Sequence, residues 1–140
     1  MKPLRESLLI LLCLFFLSVT AHARSPVPLV ELENQAIAAA SGKALTLDDV
    51  ARALRQAAPH RGWNIAEIAP GKAVATLEVR GKHTIKVEVD YTPSSISFHY
   101  KDSDNMKYGK DEEGHAVIHP FYMKWVANLL SDVRIELGRF

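Results

Sequence analysis

Apolar and polar residues alternate with a period of two through the middle of the chain. Ala73, Ala75, Leu77 and Val79 interleave with Val74, Thr76, Glu78 and Arg80, and Ile85, Val87, Val89 and Tyr91 with Thr84, Lys86, Glu88 and Asp90. After Thr92-Pro93-Ser94-Ser95, Ile96, Phe98 and Tyr100 interleave with Ser97, His99 and Lys101. Successive side chains of a strand point to opposite faces, so this pattern predicts antiparallel strands with one face covered and one wet. Residues 63–69 supply a further strand, and Pro70-Gly71 fits the centre of a type II turn, where glycine accepts positive φ.

Helical spacing appears on either side of these strands. Leu47, Val50, Ala51, Leu54 and Ala58 recur every three or four positions. Thr46 with Asp49 makes a capping box, Leu45 and Val50 a hydrophobic staple, and Pro59 with Gly62 a stop. A second helix starts at Pro120, with His119 as its cap and Ile118 stapled onto Met123. Its apolar stripe is Tyr122, Trp125, Val126, Leu129, Leu130, Val133 and Leu137, while Lys124, Asn128, Ser131, Asp132 and Arg134 face away. The expected fold is a two-layer α+β domain over 45–140: a four-stranded antiparallel meander with two helices on one face, in the order α-β-β-β-β-α. Residues 24–44, with Pro26 and Pro28, read as an extended linker, with a strand edge or a frayed helix at Val30, Leu32 and 36–40 as the alternative, and 102–114 as a polar stretch.

Residues directly opposite in a sheet share a face, so the alternation also predicts register. Arg80 is expected opposite Thr84 and Glu78 opposite Lys86; Tyr91 is expected opposite Ile96 and Glu88 opposite His99. The outer face then carries Glu78, Lys86, Glu88, His99 and Lys101 as a lattice of mixed charge. A plain two-residue turn at Pro70-Gly71 would set Trp63, Ile65 and Val74 on that polar face. Either a bulge returns them to the core, the favoured outcome for Trp63, or they form an exposed contact patch.

The amino-terminal residues change the picture of location. Lys2 and Arg5, an apolar run over 8–17 broken only by Cys13, and Ala21-His22-Ala23 read as a signal peptide, residues 1–23, cleaved after Ala23. The mature chain is then expected in the periplasm or secreted, with no transmembrane segment and no cysteine. Its charges balance, and no Lys/Arg tract offers a nucleic-acid footprint. Arg52, Arg55, His60 and Arg61 group near the end of the first helix, where its dipole favours cations, and read as a solvated face.

Known constellations of catalysis are hard to find. His115 and His119 are four apart but straddle a helix start and lack a following glutamate. Asp102, Asp104 and Glu113 fit a calcium loop, which then fails at Met106 and Lys107. Ser103 has no elbow glycines, and no phosphate loop occurs. No metal, no cofactor and no enzymatic activity are therefore expected. The alternatives are a small hydrolase or isomerase using Glu88 with His99, or His119 with Tyr108, and a protease-inhibitor-like module suggested by the order of one helix then three strands.

One resemblance spans residues 62–125. Gly62-Trp63, Pro70-Gly71, Ala75-Thr76-Leu77, Ser95-Ile96, Tyr100-Lys101, Ser103, Asn105, Tyr108, Ile118-His119-Pro120, Tyr122 and Trp125 resemble a family of small exported proteins and lipoproteins of proteobacteria. The chain departs from it in lacking a lipobox cysteine and in having Phe121 and Met123 where relatives carry asparagine. The resemblance implies an envelope location and directs attention to one stretch of aromatic and hydrogen-bonding groups. The candidate ligand or partner residues are thus Trp63, Tyr100, Ser103, Asn105, Tyr108, His119 and Tyr122. The expected role is a non-catalytic exported domain that binds an envelope protein or a small ligand such as a sugar or peptide.

Overall fold

The computed structural model describes residues 24–140, and the signal segment expected at 1–23 lies outside the described residues. Within them the order is β1 (Val27–Pro28), β2 (Leu32–Ala36), α1 (Leu47–Ala57) with a 3-10 turn at Ala58–Arg61, β3 (Trp63–Ala69), β4 (Lys72–Val79), β5 (His83–Tyr91), β6 (Ser95–Asp104), β7 (Gly109–Lys110), β8 (Ala116–Ile118) and α2 (Phe121–Leu137). The class is α+β with antiparallel sheets, but the strands form two sheets rather than one meander. A five-stranded sheet runs β2-β6-β5-β4-β3, and a three-stranded one runs β1-β8-β7.

The alternation in β4, β5 and β6 puts Ala73, Ala75, Val87, Val89, Ile96 and Phe98 in one buried cluster with Val50, Leu54, Leu129 and Val133 of the helices. Thr46 caps α1 as the sequence predicts: its hydroxyl accepts from the Asp49 N–H at 3.1 Å, and the Asp49 carboxylate accepts from the Thr46 N–H at 2.9 Å. No helix among the described residues is long and apolar enough to cross a membrane.

Three expectations need correction. The 24–44 segment is not a linker. Its β2 is the edge strand beside β6, with Leu32 opposite Phe98, and its β1 pairs with β8. The β4–β5 register places Glu78 opposite Thr84 and Thr76 opposite Lys86, because the turn runs through Arg80 and Gly81 at positive φ. A shift of two leaves every side chain on its expected face, so hydrophobicity could not choose between the two registers. Asp132 does not face solvent: it and Glu136 are buried on α2. Asp132 receives Arg61 at 2.7 Å, and Glu136 lies 3.8 Å from His60. The basic group near α1 keeps the solvated face expected of it, with side chains about half exposed, and lies beside carboxylates, Arg55 with Glu67 and Arg52 with Asp49.

In β3 the structure takes the favoured, bulged alternative. Ala69 does lie opposite Lys72, but a bulge between Glu67 and Ala69 resets the ladder, so Ile65 meets Ala75 and Trp63 meets Leu77. Trp63 is buried in the core, Ile65 packs against it, and the extra residue, Ile68, projects into solvent. The β5–β6 register matches expectation, with Tyr91 opposite Ile96 and Glu88 opposite His99.

Candidate functional site

The groups that the sequence brought forward collect where β6, the following loop and the start of α2 meet. A second bulge on β6 leaves Tyr100 opposite Val87 and Ser103 opposite Ile85, both toward the covered side of the sheet. The loop then turns sharply. Asn105 and Lys107 both hold positive φ, at 54° and 52°, and between them Met106 drives its side chain into the core. Left-handed backbone is costly for such residues and persists where its surroundings hold it. Here the Asn105 side-chain amide donates to the Lys82 carbonyl at 3.0 Å, the His83 ring bonds the Asn105 carbonyl at 2.8 Å, and the His119 N–H donates to the Met106 carbonyl at 2.8 Å.

This clamped loop presents Tyr108. Its ring stacks on Tyr100 with centroids 4.1 Å apart and 16° between planes, and Tyr100 meets Tyr122 edge-on at 5.8 Å. The Tyr100 hydroxyl bonds the Ser103 hydroxyl at 2.9 Å. Burial raises the pKa of Tyr100 and raises that of Tyr122 further, so both remain neutral phenols at any physiological pH. An open groove of about 650 Å³ runs beside them, lined by Tyr100, Lys101, Ser103, Asn105, Lys107 and Tyr108 among others.

His119 belongs to an adjoining patch. Its Nδ1 accepts the Phe121 N–H at 3.1 Å, but the helix begins one residue later than expected, at Phe121, with Pro120 rather than His119 at the N-cap. Its ring lies 6.2 Å from His83 and 4.9 Å from Phe121, over which the Arg24 guanidinium sits at 4.4 Å. Trp63 stands apart from both. Its indole N–H is buried without a hydrogen-bond partner, and the residue lines a separate hollow of about 360 Å³ with Arg61, Leu77 and Trp125. Six of the seven candidates are thus near neighbours, and Trp63 is a core residue.

The paired groups considered for proton transfer find other partners. Glu88 accepts from Lys101 at 2.9 Å, and His99 bonds Glu31 at 2.7 Å, a carboxylate from the segment read as a linker. That contact raises the His99 pKa, with Asp90 and Glu33 adding to it; burial lowers the His119 pKa, helped by His83, Lys107 and Arg24. The two histidines therefore act oppositely on stability. His99 contributes below the unfolded value near 6.5 and loses that contribution as pH rises through its folded pKa; His119 opposes folding as pH falls below 6.5. In an NMR titration with chelator present, His99 is expected to titrate above 6.5 and His119 below it. The reverse order would contradict both environments.

Comparison with known proteins adds no relatives. No family model, curated protein or solved structure matches the chain.

Proposed function

We propose that this protein is an exported, non-catalytic binding domain whose groove beside Tyr100 and Tyr108 receives a cell-envelope ligand carrying a ring, either a saccharide or a peptide. The observation that carries this reading is Tyr108. It is 47% exposed, yet one face of its ring is already held against Tyr100. A ring oriented in advance gives up little freedom on binding, and its apolar area supplies most of the contact energy. Around it, Lys101, Ser103, Asn105 and Lys107 line the groove with polar groups that already hold other partners and would share or exchange them with a ligand. The signal-like first 23 residues and the resemblance to exported proteins support the location. The diversion of Glu88, His99 and His119 to other partners favours binding over catalysis.

Titration with soluble disaccharide-peptide fragments of the cell wall, followed by NMR, tests this reading. Amide shifts are expected at Asn105, Lys107 and Tyr108. Tyr108→Ala should weaken binding about tenfold or more, as truncating an aromatic anchor removes over 1 kcal/mol. Its stability should fall by no more than about 1.5 kcal/mol, the scale of one stacked pair. Equal affinity in the wild type and the variant, or no shifts in this loop, would dismiss the groove as the site.

A further inference from the structure

We propose that Glu31, Glu33 and His99 form a binding site for a divalent cation of zinc's class on the open face of the five-stranded sheet. Each offers one ligand atom, and the three atoms lie within 4.8 Å of one another. His99 Nδ1 stands 2.7 Å from Glu31 Oε2 and 3.9 Å from Glu33 Oε1. Ligand atoms sharing one tetrahedral zinc at about 2.1 Å stand about 3.4 Å apart, so the two separations straddle the required value. One imidazole nitrogen with two carboxylate oxygens suits zinc and its neighbours better than calcium or magnesium, which take oxygen alone. Three protein ligands also leave a position for water or a bound group.

Two neighbouring groups bear on these ligands. Glu31 is fixed by its second oxygen, which accepts the Tyr100 N–H at 2.8 Å just past the end of the β2–β6 ladder. On the far side of the imidazole, Asp90 lies 3.8 Å from Nε2, and Asp90 is itself held by Lys72 at 3.1 Å. At 3.8 Å Asp90 makes no hydrogen bond to the ring and acts on it through charge alone. Glu31 and His99 are each about 30% exposed, so the ligands are partly shielded while Glu33 remains open to solvent. Among the described residues neither Glu31 nor Glu33 has a lysine or arginine partner; the imidazole is the only basic group paired with them. A divalent ion would take the place of the hydrogen between Nδ1 and Oε2 and neutralise both carboxylates; an imidazolium would release that proton to solvent, and a neutral imidazole would carry it on Nε2 instead. It would also tie the edge strand β2 to β6 through side chains 66 and 68 positions apart.

Calorimetric titration of the tag-free protein with zinc chloride tests the proposal. One zinc per chain is expected, with Glu33→Gln and His99→Gln each weakening binding at least tenfold. Asp90→Asn, which removes a charge near the ring but no hydrogen bond to it, should weaken binding less than either ligand variant, and calcium chloride should give no saturable heat in the same range. Glu33→Gln keeps the Glu31–His99 contact, so it remains decisive if His99→Gln fails to fold. Absence of saturable zinc binding overturns the site. So does undiminished binding by Glu33→Gln, which would place the ion on other histidines, and so does equal uptake of calcium, which would show a carboxylate cluster indifferent to the imidazole.

Discussion

Phe98→Ala is expected to lower the unfolding free energy by about 3–5 kcal/mol, the usual result of emptying a buried aromatic position. Phe98 is only 1% exposed and sits on β6, opposite Leu32 of β2 on one side and Val89 of β5 on the other. The void would therefore open at the joint between the edge strand and the sheet, beneath the helices that share its core cluster. Domains of this size are stable by roughly 5–15 kcal/mol, so the variant should be marginal at room temperature. Urea denaturation followed by circular dichroism measures the loss directly. A midpoint within experimental error of the wild type would mean that Phe98 does not fill the space between sheet and helices.

Gly71→Ala should cost about 2–4 kcal/mol, from two additive sources: a left-handed conformation forced on a residue with a Cβ, and a collision that backbone must relieve. Gly71 has φ of 77°, and a Cβ there would lie 2.8 Å from the Tyr91 carbonyl oxygen. The same pair of residues is joined by the Tyr91 N–H donating to the Gly71 carbonyl at 2.9 Å, so the turn cannot move away freely. Gly42 supplies the control, since it has φ of 76° with open space around its would-be Cβ. Gly42→Ala should show only the conformational part, about 1–2 kcal/mol. Equal losses at the two positions would show that the approach of Tyr91 is looser than described.

The parts of this fold legible in the sequence are those set by neighbours along the chain. The capping box at Thr46 and Asp49 needs only four consecutive residues. The alternation in β5 and the start of β6 identified both strands, their covered face and the pairing of Glu88 with His99, because a short turn leaves little freedom of register. The missed elements are short or irregular. β2 carries a register break beside Asn34, whose φ is 49°, and β1, β7 and β8 hold two or three residues each. Such strands form because a partner already stands beside them, a condition that no local pattern records.

The candidate site divides the same way. Tyr100, Ser103, Asn105 and Tyr108 lie within nine positions, so their proximity follows from the chain, whereas the stacking of Tyr108 on Tyr100 depends on two left-handed residues around a buried methionine. Trp63 entered the list because a plain turn would expose it, and the bulge at Ile68 buries it instead.

The sequence by itself determined which residues could share a face, where α1 begins, and that a two-faced set of strands had to be covered by amphipathic helices. Those are consequences of period and of hydrogen-bond chemistry between residues close in the chain. The tertiary structure alone decided that Glu31 and Glu33 meet His99, that Asp132 meets Arg61, and that residues 24–36 complete both sheets. Each of those contacts joins residues about 70 or more positions apart, or forms only at the edge of a sheet already built. Charge and hydrogen-bonding capacity are written in the side chain, but the partner that satisfies them is chosen by packing.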